Sequence, residues 1–534
     1  MSATDPAAAG SPSASAAPGS ASAPAPAGYM HGTALGVTAV ALALGTFMQV
    51  LDTTIANVSI PTISGNLGTS TEQGTWIITS FAVSSAISVP LTGWLMQRFG
   101  VVRTFVASIL LFTLASLLCG FAWNLSSIVT FRILQGAVSG PIIPGSQALL
   151  MMLFPPARKG LALAIWSMTT LIAPICGPLL GGWISDNATW PWIFYINVPV
   201  GLFVAFISWT KLSKRETPTR KLRIDKMGLA LLVVWVGSLQ IMLDKGKDED
   251  WFSSPFIIIL TIVAVVGLIA WLIWELTEKS PIVDLSFFKN RNFTMALIPM
   301  CLGYAVFFGN IVLTPLWMQT QLGYTATWAG LAAAPGGMVA VLISPFVGRY
   351  IGRSDARWIA TIAFIAFAVS YYMRSRLTTA SAFIDFVMPQ LVFGIALGTF
   401  FVAILAITFD GIPQPRVPAA SGLAVFLRTL AGSFATSITT TFWDRREAWH
   451  QSHLAAASSV YDPTTQAALA HLKALGMSDT AAIAALNREL VGQSYLLSSI
   501  DYFWISAIAS VGLIAFVWFT KPTGRGGGAP IAAD

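Results

Sequence analysis

Asp52 and Arg132 are the residues of this sequence best placed to do chemistry. Each interrupts a long apolar run, Asp52 in Phe47-Met-Gln-Val-Leu-Asp-Thr-Thr-Ile-Ala-Asn57 and Arg132 in Phe131-Arg-Ile-Leu-Gln-Gly136. An ionisable residue inside a membrane is costly enough to be functional by default. Asp52 falls seven residues before the end of an apolar stretch over 35–59, and Arg132 seven residues after the start of another at 125. If the two runs are helices crossing in opposite directions, both residues lie about 10 Å below one surface and meet where the helices line a common cavity. Desolvation drives a carboxylate towards its neutral form and a nearby guanidinium drives it back, which is the balance a proton carrier needs. The bland alternative is a permanent ion pair that fixes helix register, but two buried charges are a costly way to gain packing.

Candidate substrate or cavity contacts are Gln49, Thr53, Asn57 and Gln135 on the same two runs, together with Arg428 in Val425-Phe-Leu-Arg-Thr-Leu-Ala-Gly432. Arg428 lies about nine residues into its run, and its candidate companions are Asp410, helix-terminal carbonyls or substrate. His31, His450, His453 and His471 all fall outside the apolar runs, so a proton carrier within the membrane has to be a carboxylate. Cys119, Cys176 and Cys301 lie inside apolar runs without metal-ligand spacing and read as packing residues. Walker, HExxH, GxSxG and dinucleotide signatures are lacking in the sequence. No enzyme, metal or cofactor is expected, and the proton motive force is the expected energy source.

The elements that position these residues follow from composition. Hydrophobic residues make up 55% and charged residues 10% of 534 positions, and the mean hydropathy is +0.71, whereas charged residues run near a quarter in soluble domains. Fourteen apolar stretches are expected to span a membrane: 35–59, 74–96, 101–121, 125–151, 159–183, 193–210, 227–243, 255–276, 294–318, 327–351, 358–374, 385–409, 419–442 and 500–520. Most approach or exceed the ~20 residues a helix needs to cross the hydrocarbon layer; 227–243 and 358–374 are the shortest. With the N-terminus cytoplasmic, twenty of the thirty Lys and Arg fall on the inner side, eight on the outer side and two, Arg132 and Arg428, inside helices. That bias satisfies the positive-inside rule and leaves both termini cytoplasmic. It also accounts for the net charge of +7 without nucleic acid.

Residues 1–32 read as a disordered cytoplasmic tail, 33–212 as a first six-helix bundle, and 213–293 as a basic linker, two inserted membrane helices and a cytoplasmic connector. A second six-helix bundle is expected over 294–520, followed by a short tail at 521–534. Within that bundle the hydrophilic insertion 443–499 is expected to form short amphipathic periplasmic helices over 464–475 and 478–491. A weak internal repeat relates the bundles, a mark of transporters. Pro61 closes the first helix, Trp76 opens the second, and Gly93, Arg98, Gly100 and Arg103 occupy the following inner turn; Pro315, Trp328, Gly348, Arg353 and Arg357 repeat that order. The stretch Ala173-Pro174-Ile-Cys-Gly177-Pro178-Leu-Leu-Gly181-Gly182 places prolines and glycines in one helix, which predicts a bent, closely packed hinge or seal beside the cavity.

At these residues the chain resembles the major facilitator superfamily, and within it the EmrB-type permeases of the fourteen-helix drug:proton antiporter family. Further carriers of the resemblance are Trp192-Ile-Phe-Tyr-Ile-Asn-Val-Pro-Val-Gly201, Pro281-Ile-Val-Asp-Leu-Ser-Phe-Phe-Lys-Asn-Arg-Asn-Phe293 and Arg428-Thr-Leu-Ala-Gly-Ser433. The resemblance implies an all-α membrane protein with the major facilitator fold, two six-helix bundles in alternating access with two inserted helices beside them. It implies an antiporter motif carried by Pro174, Gly177, Pro178, Gly181 and Gly182. It further implies an inner-membrane permease partnered by a periplasmic membrane fusion adaptor (EmrA-type) and an outer-membrane channel (TolC-type). Two departures stand out: Gln97 replaces the Asp expected before Arg98 in the inner turn, and Ala173 replaces the first glycine of the antiporter motif. The expected function is proton-coupled efflux of hydrophobic or amphiphilic drugs; the alternatives are a proton-coupled uptake symporter for a small organic solute and a membrane-embedded sensor.

Overall fold

The structure, a computed structural model, describes residues 30–523 apart from 156–157, 221–222, 280, 352 and 460. The expected terminal tails therefore lie almost wholly outside the described residues. Among the described residues every regular element is helical, as hydrocarbon demands: without water, each backbone polar group has to be satisfied within its own segment.

The first half runs α1 (Gly32–Asn66), a short α2 (Thr71–Gly74), and α3 (Trp76–Ser88) continued through a 3-10 turn into α4 (Thr92–Phe99). It goes on through α5 (Val101–Gly120), α6 (Leu125–Ser139) with α7 (Ile142–Leu153) as one crossing, α8 (Lys159–Asn187), a short α9 (Trp192–Tyr195) and α10 (Asn197–Leu212). The inserted pair is α11 (Lys226–Lys245) and α12 (Pro255–Thr277). The second half comprises α13 (Arg291–Thr320), α14 (Ala326–Tyr350), α15 (Ala356–Arg374), α16 (Phe383–Thr408), α17 (Val417–Ala457), a short α18 (Pro463–Ala474) and α19 (Asp479–Trp518). Among the described residues thirteen segments are long and apolar enough to cross a membrane, and the 29-residue α8 supplies the fourteenth crossing. The two shortest expected spans are α11 and α15, with 20 and 19 residues, because charged residues at their ends are helical too.

Three expectations need correction. Pro61 and Pro315 do not close their helices: α1 continues to Asn66 and α13 to Thr320. A proline forfeits one hydrogen bond to the preceding turn, and a membrane environment tolerates that loss within a helix. The segment 443–499 is not a separate insertion of short helices. Its two ends extend the membrane helices, α17 as one helix of 41 residues and α19 as one of 40, so that only α18 stands apart. Helical periodicity is present in 478–491 as expected, but it is in phase with the apolar run that follows and the helix never stops.

The two bundles meet along small residues on the side that carries the basic connections. A Cβ on Gly348 would stand 2.6 Å from the Gly160 carbonyl oxygen, and one on Gly93 3.0 Å from the Ala419 Cβ. Ser421 on α17 donates a hydrogen bond to the Gln147 side-chain oxygen on α7 between these contacts. Lipid tails are as apolar as leucine, so helices associate in a membrane by such close approach and by hydrogen bonds. On the opposite side the inserted pair fastens to both bundles. Lys245 Nζ donates to Thr75 Oγ1 at 2.9 Å, while Trp251 Nε1 donates to Thr441 Oγ1 at 3.1 Å and Lys247 pairs with Asp444 at 2.7 Å.

Gly160→Val should therefore wedge the bundles apart on the basic side, lowering stability by roughly 1–3 kcal/mol. Gly512, whose Cβ position has nothing within 4 Å, is the control, and Gly512→Val should leave the thermal midpoint unchanged. Equal midpoints for the two variants in detergent would show that this seam does not hold the bundles together.

Candidate functional site

Asp52 and Arg132 meet. Arg132 Nη1 donates to Asp52 Oδ2 at 2.6 Å, and both side chains are wholly buried. Local signals set the phase of each helix. The Asn124 side chain accepts from Ser127 N at 2.7 Å and caps the start of α6, which fixes where Arg132 points two turns later. On α1 the pair still meets although the helix runs on to Asn66.

The carboxylate is held from two other helices. Asp52 Oδ1 accepts from Gln135 Nε2 of α6 at 3.1 Å and from Asn197 Nδ2 of α10 at 2.8 Å. Asn197 in turn donates to Ser116 Oγ of α5 at 3.0 Å, and Ser116 donates to the Phe194 carbonyl at 2.9 Å. Arg132 Nη1 also reaches Gln135 Oε1 at 2.7 Å, Nε donates to the Ile77 carbonyl of α3 at 3.1 Å, and Cζ lies 4.2 Å from the Phe81 ring centre. Arg132 Nη2 is left without a partner. Each group hydrogen-bonded to the Asp52 oxygens is a donor.

The expected cavity contacts divide. Gln135 is wholly buried and its amide lies between Asp52 and Arg132. Gln49 is buried with its Oε1 unpartnered, Thr53 is half-buried and donates to the Gln49 carbonyl at 3.1 Å, and Asn57 is exposed. The pair does not face an aqueous pathway in this conformation, since neither side chain has any exposed surface. Asn197 and Phe81 were not singled out by the sequence. Asn197 sits beside a helix boundary, 145 positions from Asp52, and the one signal that touched it was its place in the Trp192–Gly201 stretch that carries the family resemblance.

Arg428 is buried within reach of three rings, 5.4 Å from Trp166, 5.1 Å from Tyr304 and 5.7 Å from Phe401. Trp166 belongs to α8, so this guanidinium lies where the two bundles meet. Asp410 is not its companion; that carboxylate accepts from Asn292 Nδ2 at 3.0 Å. Among the described residues no carboxylate lies within ion-pair distance of Arg428.

The glycine-proline segment packs against the stretch of α1 that bears Asp52. A Cβ on Gly177 would stand 2.7 Å from the Thr54 Cβ, and one on Gly181 3.0 Å from the Ile55 carbonyl oxygen. α8 passes through Pro174 and Pro178 as one uninterrupted helix, and Gly182 lies in the same turn as Pro178. In the basic turn, Gly100 has φ +94° and lies under the Glu216 side chain. That carboxylate accepts from Val102 N at 3.0 Å and Arg103 N at 2.8 Å, at the N-terminus of α5. The Gln97 carbonyl accepts from Arg220 N at 2.8 Å, and Arg98 lies 5.6 Å from the Trp94 ring. A carboxylate is thus present at the turn, supplied by the linker after α10 instead of by position 97. Beyond the span ends, burial raises the Asp284 carboxyl, but hydrogen bonds from Ser286 and Arg416 outweigh it and hold the group below the usual carboxylate range.

Two six-helix halves, a paired insertion and a buried charge pair in one half define a polytopic membrane transporter. The family model described as Major Facilitator Superfamily matches residues 42–436. The chain is 50% identical over 503 residues to the Multidrug export protein EmrB of Escherichia coli (strain K12), covering 93% of this chain and 98% of that one. It is 49% identical to the EmrB of Haemophilus influenzae (92% and 97% covered) and 46% identical to the Fatty acid resistance protein FarB of Neisseria gonorrhoeae (93% and 98% covered). Among solved structures, the proton:xylose symporter XylE shares the fold at a TM-score of 0.59 and 14% identity, with 92% and 97% of the two chains covered. The chain belongs to the major facilitator superfamily and, within it, to the EmrB-type fourteen-helix drug:proton antiporter family.

Removing Arg132 strands the Asp52 charge in a dry site, so Arg132→Ala should cost about 3–5 kcal/mol. Adding Asp52→Asn should recover most of that loss, since a neutral amide needs no counter-charge. Additive losses in a thermal or denaturant double-mutant cycle would show that the two groups are not coupled.

Proposed function

We propose that this chain exports hydrophobic or amphiphilic toxic compounds across a bacterial inner membrane in exchange for protons, as the permease of a tripartite pump with both termini cytoplasmic. The observation that carries the coupling is the Asp52 carboxylate, buried beneath donors from Arg132, Gln135 and Asn197. A proton arriving at Asp52 removes the charge that Arg132 neutralises and turns one oxygen into a donor that faces other donors. The network then has to open between α1, α6 and α10. Through Thr54 and Ile55, α1 bears on Gly177 and Gly181 of α8, and α8 meets α14 at Gly160 and Gly348. Loss of the pair on one side thus has a packed route to the contact between the bundles.

Export is favoured over uptake by the relatives named as multidrug export and fatty acid resistance proteins and by the α8 motif. Arg428, placed between the bundles and ringed by aromatics, is the proposed substrate contact of the second half. The distal end of α17, α18 and the start of α19 form the proposed seat for a periplasmic adaptor; its exposed Tyr461, Leu475 and Ile483 offer apolar contacts.

In proteoliposomes with an imposed gradient, substrate and protons should move in opposite senses, and Asp52→Asn should abolish proton-driven flux while the protein remains folded in the membrane. Movement in the same sense identifies a symporter, and undiminished flux in the variant removes Asp52 from the mechanism. Replacing residues 458–478 with a Gly/Ser linker of equal length should weaken co-purification with the adaptor; intact co-purification places the docking surface elsewhere.

A further inference from the structure

The second bundle contains a buried cation that the coupling site does not use. Arg374 ends α15 and is 2% exposed. Nη1 donates to Thr314 Oγ1 of α13 at 3.2 Å, and Cζ lies 4.6 Å from the Phe393 ring centre of α16 and 5.6 Å from that of Tyr371. Nη2 has no partner. The Tyr371 hydroxyl has none either, on a wholly buried side chain one turn earlier on the same helix. Among the described residues no carboxylate lies within ion-pair distance of this guanidinium. Its charge therefore has no answer among the described residues, in contrast to Arg132 with Asp52.

A guanidinium does not shed its proton in proteins. Ring faces and one neutral hydroxyl offset only part of the cost of a desolvated charge, and water would satisfy a hydrogen bond without supplying counter-charge. The two unpartnered groups can both donate, and the Thr314 hydroxyl, which accepts from Nη1, keeps its own proton to give. Donors on two helices beside one uncompensated positive charge call for an anion, and the burial of Arg374 and Tyr371 favours a small one. We propose that Arg374, Tyr371 and Thr314 bind a small monovalent anion of the size of chloride between α13, α15 and α16, as a resident counter-ion of the second bundle.

The test uses the full-length protein purified in detergent, with chloride exchanged for gluconate at constant ionic strength. The thermal midpoint should rise saturably with chloride, and bromide should substitute. Tyr371→Phe removes one donor to the ion and should raise the half-saturating chloride concentration about tenfold. Arg374→Gln should remove the chloride dependence altogether. In crystals grown in bromide, an anomalous peak should lie within hydrogen-bond reach of Arg374 Nη2. Equal wild-type midpoints in chloride and gluconate, an unchanged half-saturation in Tyr371→Phe, or a dependence that persists in Arg374→Gln would each overturn the proposal. Density at the site without anomalous signal would assign it to water and overturn it as well. If Arg374→Gln does not fold, the Tyr371→Phe titration decides alone.

Discussion

A charge placed in hydrocarbon has to be answered by an opposite charge or by enough oriented dipoles, and the first bundle is arranged around that requirement at Asp52. α6 supplies the guanidinium of Arg132 and the amide of Gln135, α10 supplies Asn197, and α5 holds Asn197 through Ser116. α3 takes up the rest of the guanidinium with the Ile77 carbonyl and the Phe81 face. The result is a knot of polar contacts that ties α1, α3, α5, α6 and α10 together around one carboxylate. Packing between membrane helices gains little from burial alone, which leaves the polar knot with an unusually large share of the specificity.

The span architecture was legible because hydrophobic length and charge asymmetry are one-dimensional signals, and lipid leaves little room for tertiary context to override them. The Asp52–Arg132 pairing was legible for a similar reason: two lone charges at equal depth have few other places to go. Asn197 was not, because an uncharged amide near a helix end carries no hydropathy signal. Arg374 was not either. Followed by Ser375 and Arg376, it reads as the polar end of a span, yet α13 and α16 extend past it and enclose it.

The inner turn shows that a carboxylate near a turn need not come from within it. Gln97 removes the carboxylate expected within the turn, yet the start of α5 is still met by one, from Glu216, and the left-handed backbone of Gly100 makes the room. A helix N-terminus favours a negative charge wherever in the chain that charge originates. Reading a motif residue by residue misses such a contact because Glu216 is more than a hundred positions from Gln97.

α17 and α19 pass from the bilayer to the tip of the molecule without a break. At ~1.5 Å per residue each is a rod of about 60 Å. A rod of that length is a lever arm: a tilt of a few degrees at its membrane end becomes a sweep of several Å at the other. If the bundles rock as proposed, that motion would reach well beyond the lipid surface as a mechanical stroke, and a protein gripping the far end of the rods would be moved with it.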